Sequence, residues 1–225
     1  MRLPSKTIER GLFRNGYKRL IAVDEVGMGC LAGPVVVCAA LFTPKFFQRS
    51  HPQLRWLRDS KLLLPHQRAI FLGQLLREKE IRFQVSYCYP KTIDRMNIYQ
   101  AARLAMRRAI NKLIQDSRFT IHESKILNHK SRAMILVDGP HKIAGLDLEQ
   151  KPIVKGDRRV FAIACASIIA KVFRDRMMAR YAKRFPGYAF DRHKGYSTVL
   201  HRIRLAELGP CAIHRRSFAP VAKLV

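Results

Sequence analysis

Four carboxylates stand directly after short apolar runs of the chain, where strands are expected to end: Asp24, Glu25, Asp138 and Asp157. Strand ends are where sheets present their chemistry. Taken singly, such acids are explained equally well as turn or helix-cap residues, since Asp138-Gly139 is an ordinary turn pair and Asp157 suits the cap of a following helix. Their placement is informative because the chain has only 16 acidic residues against 43 Lys and Arg.

Carboxylates gathered at neighbouring strand ends repel one another unless protons or cations intervene. Mg²⁺ and Mn²⁺ prefer carboxylate oxygens, so the set indicates a divalent metal site. Adjacent residues of a strand point to opposite faces, so Asp24 and Glu25 reach one site only if the strand ends or bulges there. Gly27 and Gly29 favour such a change of direction. Asp175 lies among cationic residues, and we interpret it as an ion-pairing residue outside the site.

The other motifs indicate less specific chemistry. The glycines at 27, 29 and 33 are spaced one residue too far apart for a dinucleotide-binding loop, and no phosphate-binding loop or zinc-protease motif occurs. In residues 193–196, Lys194 and Tyr196 suit a sugar-phosphate strand, or equally a solvated loop with the tyrosine packed on the core. Residues 214–218 could hold a phosphate or attach the C-terminus to the domain through Phe218, and we favour the structural role. Most of the eight histidines are expected at the surface or in caps.

Composition indicates a folded protein with a polyanionic partner. The 225 residues carry a net charge of +27, while hydrophobic residues at 48% and charged residues at 26% are ordinary for a globular chain. The longest apolar run, Val35–Phe42, has eight residues, and a membrane span needs roughly 18. Five cysteines, odd in number and never two residues apart, predict buried reduced thiols and therefore a cytoplasmic protein.

Hydrophobic periodicity predicts a mixed α/β fold in which strands come early and helices alternate with strands later. Strands are expected at residues 20–23, 35–42, 81–89, 134–137 and 153–155. Helices are expected at residues 65–78 and 98–114, and from 160 towards 184. Residues 171–225 carry 13 basic and 3 acidic side chains and are expected to form a basic, mostly helical appendage.

In these residues the chain resembles the bacterial ribonucleases HII. The resemblance runs from about Ile21 to Val221, through ordered blocks at residues 23–27, 31–35, 59–61, 137–139, 154–157, 166–175, 193–196 and 214–221. It implies a ribonuclease H-like mixed sheet flanked by helices, with residues 1–19 as a basic extension, 20–185 as the catalytic domain and 186–225 as a substrate-contacting segment. It also implies an endonuclease that uses Mn²⁺ or Mg²⁺ to cut RNA strands of RNA/DNA hybrids, leaving 5′-phosphomonoesters.

Carried over by position, the family's metal-binding carboxylates fall on Asp24, Glu25, Asp138 and Asp157, and the chemistry implied is two-metal phosphodiester hydrolysis. The nucleic-acid contacts fall on the following residues: Gly27, Met28, Gly29, Lys61, Lys194 and Tyr196. One departure matters, because the family usually has Gly-Arg-Gly where this chain has Gly27-Met28-Gly29. Cys30 replaces the usual proline and Leu62 a common lysine. These changes leave the metal ligands intact and predict weaker or altered recognition of the junction between RNA and DNA.

The expected partner is an RNA/DNA hybrid or duplex DNA containing single ribonucleotides, and a monomer without membrane attachment is expected. Two alternatives remain open from the residues alone. A non-catalytic basic nucleic-acid-binding protein would need only the positive charge, and its four carboxyl groups would not lie together at one site. A different metal nuclease on the same fold would keep the carboxylates and act on DNA structures or plain RNA.

Overall fold

The computed structural model describes residues 3–115 and 132–225, and these form one mixed five-stranded sheet with helices on both faces. The strands are β1 (Arg19–Val26), β2 (Val35–Phe42), β3 (Ile81–Cys88), β4 (Ala133–Asp138) and β5 (Glu149–Ile153). Their order is β3-β2-β1-β4-β5. The pairs β1–β2 and β2–β3 are antiparallel, whereas β1–β4 and β4–β5 are parallel.

The described helices are α1 (Thr7–Arg14), α2 (Pro44–Gln48), α3 (Pro65–Arg77), α4 (Pro90–Met96), α5 (Ile98–Gln115), α6 (Gly156–Arg159), α7 (Phe161–Arg184), α8 (Phe190–His193), α9 (Val199–Leu208) and α10 (Ala219–Ala222). Short 3₁₀ turns lie at Pro52–Leu54, Ser60–Leu62 and Pro186–Tyr188. None of the helices in the described ranges combines the length and apolarity that a bilayer span requires.

The two faces of the sheet bury separate cores because side chains alternate along each strand. In β1, Leu20 and Ala22 belong to the core beneath α7, whereas Ile21 and Val23 belong to the core beneath α5. We call these the α7 face and the α5 face. Helix α7 is long enough to extend from the centre of the sheet to the C-terminal segment, so it links the site region to residues 186–225.

The N-terminal residues from 3 onward pack onto the sheet domain. The Ser5 backbone bonds to Arg159 and Phe161 on either side of the start of α7. Glu9 on α1 is fully buried, and its Oε1 accepts a hydrogen bond of 2.8 Å from the backbone N–H of Ala162. A side chain distant in sequence therefore caps the long helix, whose preceding residue, Val160, has no capping group.

The predicted elements agree with the structure except at the end of β1 and at β5. The first strand is predicted to end at Val23, before the carboxylates, but it continues through Asp24 and Glu25 to Val26. The mixed α/β prediction is confirmed, and the helices predicted at 65–78, 98–114 and 160–184 end within one residue of the observed ones. The strand predicted at 153–155 is wrong for Val154 and Lys155, because Lys155 adopts a left-handed conformation with φ of 54°. The true strand, Glu149–Ile153, is largely polar with alternating exposure, and an apolar run does not reveal such an edge strand.

Candidate active site

Asp24 and Glu25 lie near the end of β1, which remains regular through both residues and ends at Val26. By alternation, Asp24 shares the α7 face, where it bonds with the hydroxyl of Ser167, and Glu25 shares the α5 face. Asp24 is 4% exposed, and its Oδ1 accepts a hydrogen bond of 2.7 Å from the Glu25 backbone N–H. The strand therefore neither ends nor bulges at these two residues, contrary to the condition set by the sequence analysis, and the two side chains leave opposite faces of β1 one and two residues before its end.

Asp138 is the last residue of β4, and Asp157 is the second residue of the short helix α6. The parallel pairing of Val23 with Val137 sets Asp138 level with Asp24 at the same edge of the sheet. The Gly156 backbone N–H donates a hydrogen bond of 2.6 Å to Asp138 Oδ1. This bond ties the start of α6, and with it Asp157, to the end of β4.

The four carboxyl groups interact electrostatically across this edge. Burial, followed by the like charges of Glu25 and Asp138, raises the pKa of Asp24 well above its usual value. Burial and the charge of Asp138 raise the pKa of Glu25 to about 7. Burial, followed by the like charges of Asp138 and Asp59, raises the pKa of Asp157. The fold thus gathers negative charge where it is costly, which is the electrostatic condition that a bound cation relieves.

The donor set suits hard divalent cations, since all four groups offer carboxylate oxygens. Within residues 3–115 and 132–225, no three His, Cys, Asp or Glu side chains are already arranged as a metal centre. A two-ion site distributes its ligands around ions roughly 4 Å apart, so its ligands are not grouped around a single point.

Lys61 lies at the entrance to the carboxylates, on the α7 side. Its Nζ is 3.7 Å from Asp157 Oδ2, and its side chain is 68% exposed. Burial alone would lower the pKa of Lys61, but the neighbouring acids, led by Asp157, raise it. The loop that carries Lys61 is anchored by a hydrogen bond of 2.9 Å between the Ser60 and Ser167 hydroxyls. Lys61 is therefore a largely exposed cation on an anchored loop beside Asp157.

Gly27, Met28 and Gly29 form a loop that buried Arg215 holds by hydrogen bonds, whereas buried Arg174 packs beside Gly27 and holds the residues that follow. Arg215 donates to the carbonyl groups of Gly27, Met28 and Gly33 at 2.7 to 3.0 Å. Arg174 donates to the carbonyl groups of Ala32, Pro34 and Lys194 at 2.8 to 3.1 Å. Both arginines are fully buried.

Sequence reasoning did not single out these two arginines as functional. One available signal was the position of Arg174 on the mostly apolar buried stripe of α7. The proposed structural role of residues 214–218 agrees with the contacts of Arg215 and with the hydrogen bonds from Ser217 to Asp94.

The segment that carries Lys194 and Tyr196 packs against the same loop. The Lys194 carbonyl accepts from Arg174, and the Tyr196 ring lies 5.5 Å from both the Lys171 ammonium and the Arg174 guanidinium. Burial raises the pKa of the Tyr196 hydroxyl to about 12. Tyr196 is half-buried, so one part of its ring packs on the protein and the rest is open.

Buried histidines pack beneath this region of the C-terminal segment: His193, His201 and His214. His51 is also buried, so the expectation that most histidines lie at the surface is wrong for these four described residues. His201 Nε2 and His214 Nε2 are 3.1 Å apart, and His201 Nδ1 is 2.9 Å from the Tyr196 carbonyl oxygen. Burial lowers the pKa of both His201 and His214 to about 4. Neutral imidazoles are buried easily when each nitrogen has a partner, a condition that spacing along the chain does not reveal.

The structure also decides the two remaining sequence interpretations at the site. Asp175 pairs with Lys171 at 2.7 Å and with Arg68 at 3.4 Å, so its assignment as an ion-pairing residue is confirmed. All five cysteines are free, and all are buried except the half-buried Cys211. Met28 packs against the α5-face core and lines a small pocket beside Glu25 and Asp138.

Comparison with known proteins agrees with this geometry. The family model for Ribonuclease HII matches residues 21–221. The Ribonuclease HII of Caldicellulosiruptor saccharolyticus is 38% identical over 213 residues, which cover 94% of this chain and 92% of that protein. The Ribonuclease HII of Rhizobium meliloti is 39% identical over 218 residues, covering 97% and 90%.

Solved structures show the same architecture. The crystal structure of the ribonuclease H2 from Pyrococcus horikoshii OT3 superposes with a TM-score of 0.67 at 25% identity, covering 92% of this chain and 96% of that one. The structure of Bst-RNase HIII in complex with Mn²⁺ superposes with a TM-score of 0.65 at 18% identity, covering 93% and 70%. The mixed five-stranded sheet flanked by helices is therefore a ribonuclease H-like fold.

Within that class the chain belongs to the ribonuclease HII family. Enzymes of this family cleave the RNA strand of RNA/DNA hybrids and cut at ribonucleotides in DNA with divalent metal ions, typically by a two-metal mechanism. The chain is accordingly a ribonuclease H, as the resemblance predicted, and the alternative of a non-catalytic binding protein is excluded.

Proposed function

We propose that Asp24, Glu25, Asp138 and Asp157 are the catalytic carboxylates of this ribonuclease and that together they hold two Mg²⁺ or Mn²⁺ ions. The observation that carries the proposal is that pairing of β1 with β4 and the bond from Gly156 to Asp138 bring these groups together. There burial, followed by the like charges of the neighbouring acids, raises the pKa values of Asp24, Glu25 and Asp157. Bound ions of this kind lower the pKa of an attacking water and stabilise the leaving 3′ oxygen. No histidine or cysteine nucleophile is required.

Hydrogen bonds from neighbouring groups of the chain orient Asp138 and Asp24. Asp138 is held by the Gly156 backbone N–H, so one of its oxygens has a fixed direction and the other stays available. Ser167 and the Glu25 backbone N–H orient Asp24 in the same way. Fixed carboxylates reduce the reorganisation needed during the reaction.

Substrate contacts are proposed around the carboxylates. Lys61 is placed to attract a phosphate oxygen beside Asp157, and Lys194 and Tyr196 to contact the sugar-phosphate strand. The exposed backbone at Gly29 gives a strand close access to the loop 27–29, whose underside is occupied by Arg174 and Arg215. Met28 has no charge for a phosphate, so cutting at single ribonucleotides is proposed to be reduced but present.

The proposed substrates are RNA/DNA hybrids and duplex DNA with single embedded ribonucleotides, so that ribonucleotide excision is the proposed role. A net charge of +27 supports a nucleic-acid partner. Five free thiols support a reducing cytoplasm as the location. A monomer is proposed, since the site is assembled from residues of one chain.

Cleavage of a duplex containing one ribonucleotide, with Mg²⁺ or Mn²⁺ and with a chelator, tests the proposal. We expect Asp138→Asn to abolish cleavage while leaving the melting temperature without metal unchanged or raised, because the amide keeps the Gly156 bond and removes a repelling charge. The exposed Asp147 lies in the loop that follows β4, so Asp147→Asn is the matched control. Near wild-type cleavage by Asp138→Asn, or loss of cleavage in the control alone, would overturn the assignment.

A further inference from the structure

A pocket of about 120 Å³ lies on the α5 face, directly beside the carboxylates. Most of the residues that line it have no role in the proposed metal site or substrate contacts. Glu25 and Asp138 form one wall. The opposite wall is one face of helix α5, and the loop after β4 forms a third side with Lys142. The pocket is thus continuous with the proposed metal site but lies on the side of the sheet edge away from Lys61.

The α5 wall presents an aromatic ring and a cation to solvent. Tyr99 and Arg103 are four residues apart and so lie one above the other on the helix. Tyr99 is 68% exposed, although it begins a stripe whose next members, Ala102 and Met106, are buried. A large aromatic side chain left this exposed beside an active site is available for a ligand.

The two cationic side chains that line the pocket, Arg103 and Lys142, are unpaired within the described residues. Arg103 and Lys142 make no hydrogen bond or ion pair with any residue of the described ranges. Most other cations near the site are engaged: Lys61 with Asp157, Lys171 with Asp175. Two unpaired cations at the rim favour an anionic group there.

The floor of the pocket is apolar, which narrows the chemistry of the ligand. Met28 and Met106 provide it, together with the backbone around Val137. A phosphate alone gains nothing from an apolar floor or from an exposed ring. A nucleoside attached to a phosphate uses every part, since the base stacks on the ring, the sugar packs on methionine and the phosphate meets the cations.

We infer that this pocket binds one nucleoside of the substrate strand, adjacent to the cleaved linkage. The inference rests on the proposed carboxylate site. A strand that crosses the carboxylates has one flank on the α7 face, where Lys61 lies, and the other on the α5 face. Tyr99 holds the base, and Arg103 with Lys142 holds the next phosphate. Met28 then contributes an apolar contact at the position where the family usually has arginine.

The first experiment measures duplex affinity and steady-state cleavage for Tyr99→Ala, Tyr99→Phe and Arg103→Ala. Arg107→Ala is the matched control, because Arg107 is an exposed arginine one turn further along α5 and does not line the pocket. Affinity is measured in the Asp138→Asn background, so that this reading does not depend on turnover. We expect Tyr99→Ala to raise Kd and KM about fivefold to a hundredfold with little change in kcat, and Tyr99→Phe to restore both.

A second experiment places a single abasic residue at each position around the ribonucleotide. With the wild type, we expect the loss of a base to weaken binding most at one position, within a few nucleotides of the cut. At that position Tyr99→Ala should add no further loss, because the base and the ring are partners in one contact. Arg103→Ala should reduce the dependence of log Kd on log salt by about one phosphate contact, whereas Arg107→Ala should not.

The outcomes separate the two proposals. If the wild type cleaves, Asp138→Asn does not, and Tyr99→Ala and Arg103→Ala both bind and cleave like Arg107→Ala, the nucleoside site is refuted and the carboxylate site stands. Additive losses from the abasic position and Tyr99→Ala would also refute it. If Asp138→Asn cleaves normally, the carboxylate assignment itself has failed.

Discussion

A single added methyl group at Gly27 tests how the loop after the carboxylates is held. Gly27 has a φ of 94°, a conformation that side chains with a Cβ rarely adopt. A Cβ there would overlap Nε of Arg174 and lie 2.9 Å from its Cδ. Arg174 cannot move aside easily, because it is fully buried and donates to the carbonyl groups of Ala32, Pro34 and Lys194. Gly27→Ala is therefore expected to displace the Arg174 side chain and to weaken its hydrogen bonds to Ala32, Pro34 and Lys194.

The expected cost combines two effects. An alanine in the left-handed region costs roughly 1 kcal/mol, and overpacking a rigid interior costs about 1 to 3 kcal/mol. The free energy of unfolding should therefore fall by about 2 to 4 kcal/mol, which for a chain of 225 residues corresponds to a melting temperature lower by roughly 5 to 15 °C. Displacement of Arg174 also releases Lys194, so kcat/KM should fall about tenfold to a hundredfold.

Gly29→Ala is the matched control, two residues away in the same loop. Gly29 is exposed, and a Cβ at this position meets no atom within 4 Å. Its melting temperature should stay close to that of the wild type, and any rise in KM would report contact between the loop and the substrate. Thermal melting and cleavage of a single-ribonucleotide duplex are measured for both variants. A Gly27→Ala protein with wild-type melting temperature would refute the argument that Arg174 fixes the loop.

Three further predictions concern charge. Duplex affinity of the Asp138→Asn protein should fall with salt at a slope near −0.9 per phosphate contacted, and a slope near zero would show that the basic surface serves another purpose. Met28→Arg should raise kcat/KM on a single-ribonucleotide duplex about tenfold and more than on long hybrids, since a charge-assisted hydrogen bond contributes about 1.5 to 3 kcal/mol; an unchanged ratio of the two substrates would contradict this. Burial raises the pKa of Glu9 from 4.5 to about 7, so its protonated form stabilises the fold fully below pH 4.5 and this stability is lost as pH rises through 7. Glu9→Gln should therefore remove a decline of roughly 3 kcal/mol between pH 4.5 and 8 in urea unfolding, and an identical decline in the variant would refute the cause.

Local sequence patterns were sufficient to predict most of the elements. Helix and strand periods depend on neighbours a few residues away, so α3, α5 and α7 were predicted to within one residue. Acidic residues after apolar runs singled out four groups that the fold brings into mutual electrostatic contact. The polar edge strand β5 was misplaced, because its residues carry no apolar run to mark it.

Only the tertiary structure decided how the site is held and which surfaces adjoin it. Arg174 meets Pro34 across 140 positions of the chain, and Arg215 meets Gly27 across 188. Glu9 caps a helix that begins 152 residues later. The packing of α5 and of the loop after β4 against the sheet placed the pocket with Tyr99 beside Glu25 and Asp138, whereas Lys61 lies beside Asp157. Such partners are chosen by packing, because a buried charge or backbone carbonyl must find a hydrogen bond wherever the folded chain supplies one.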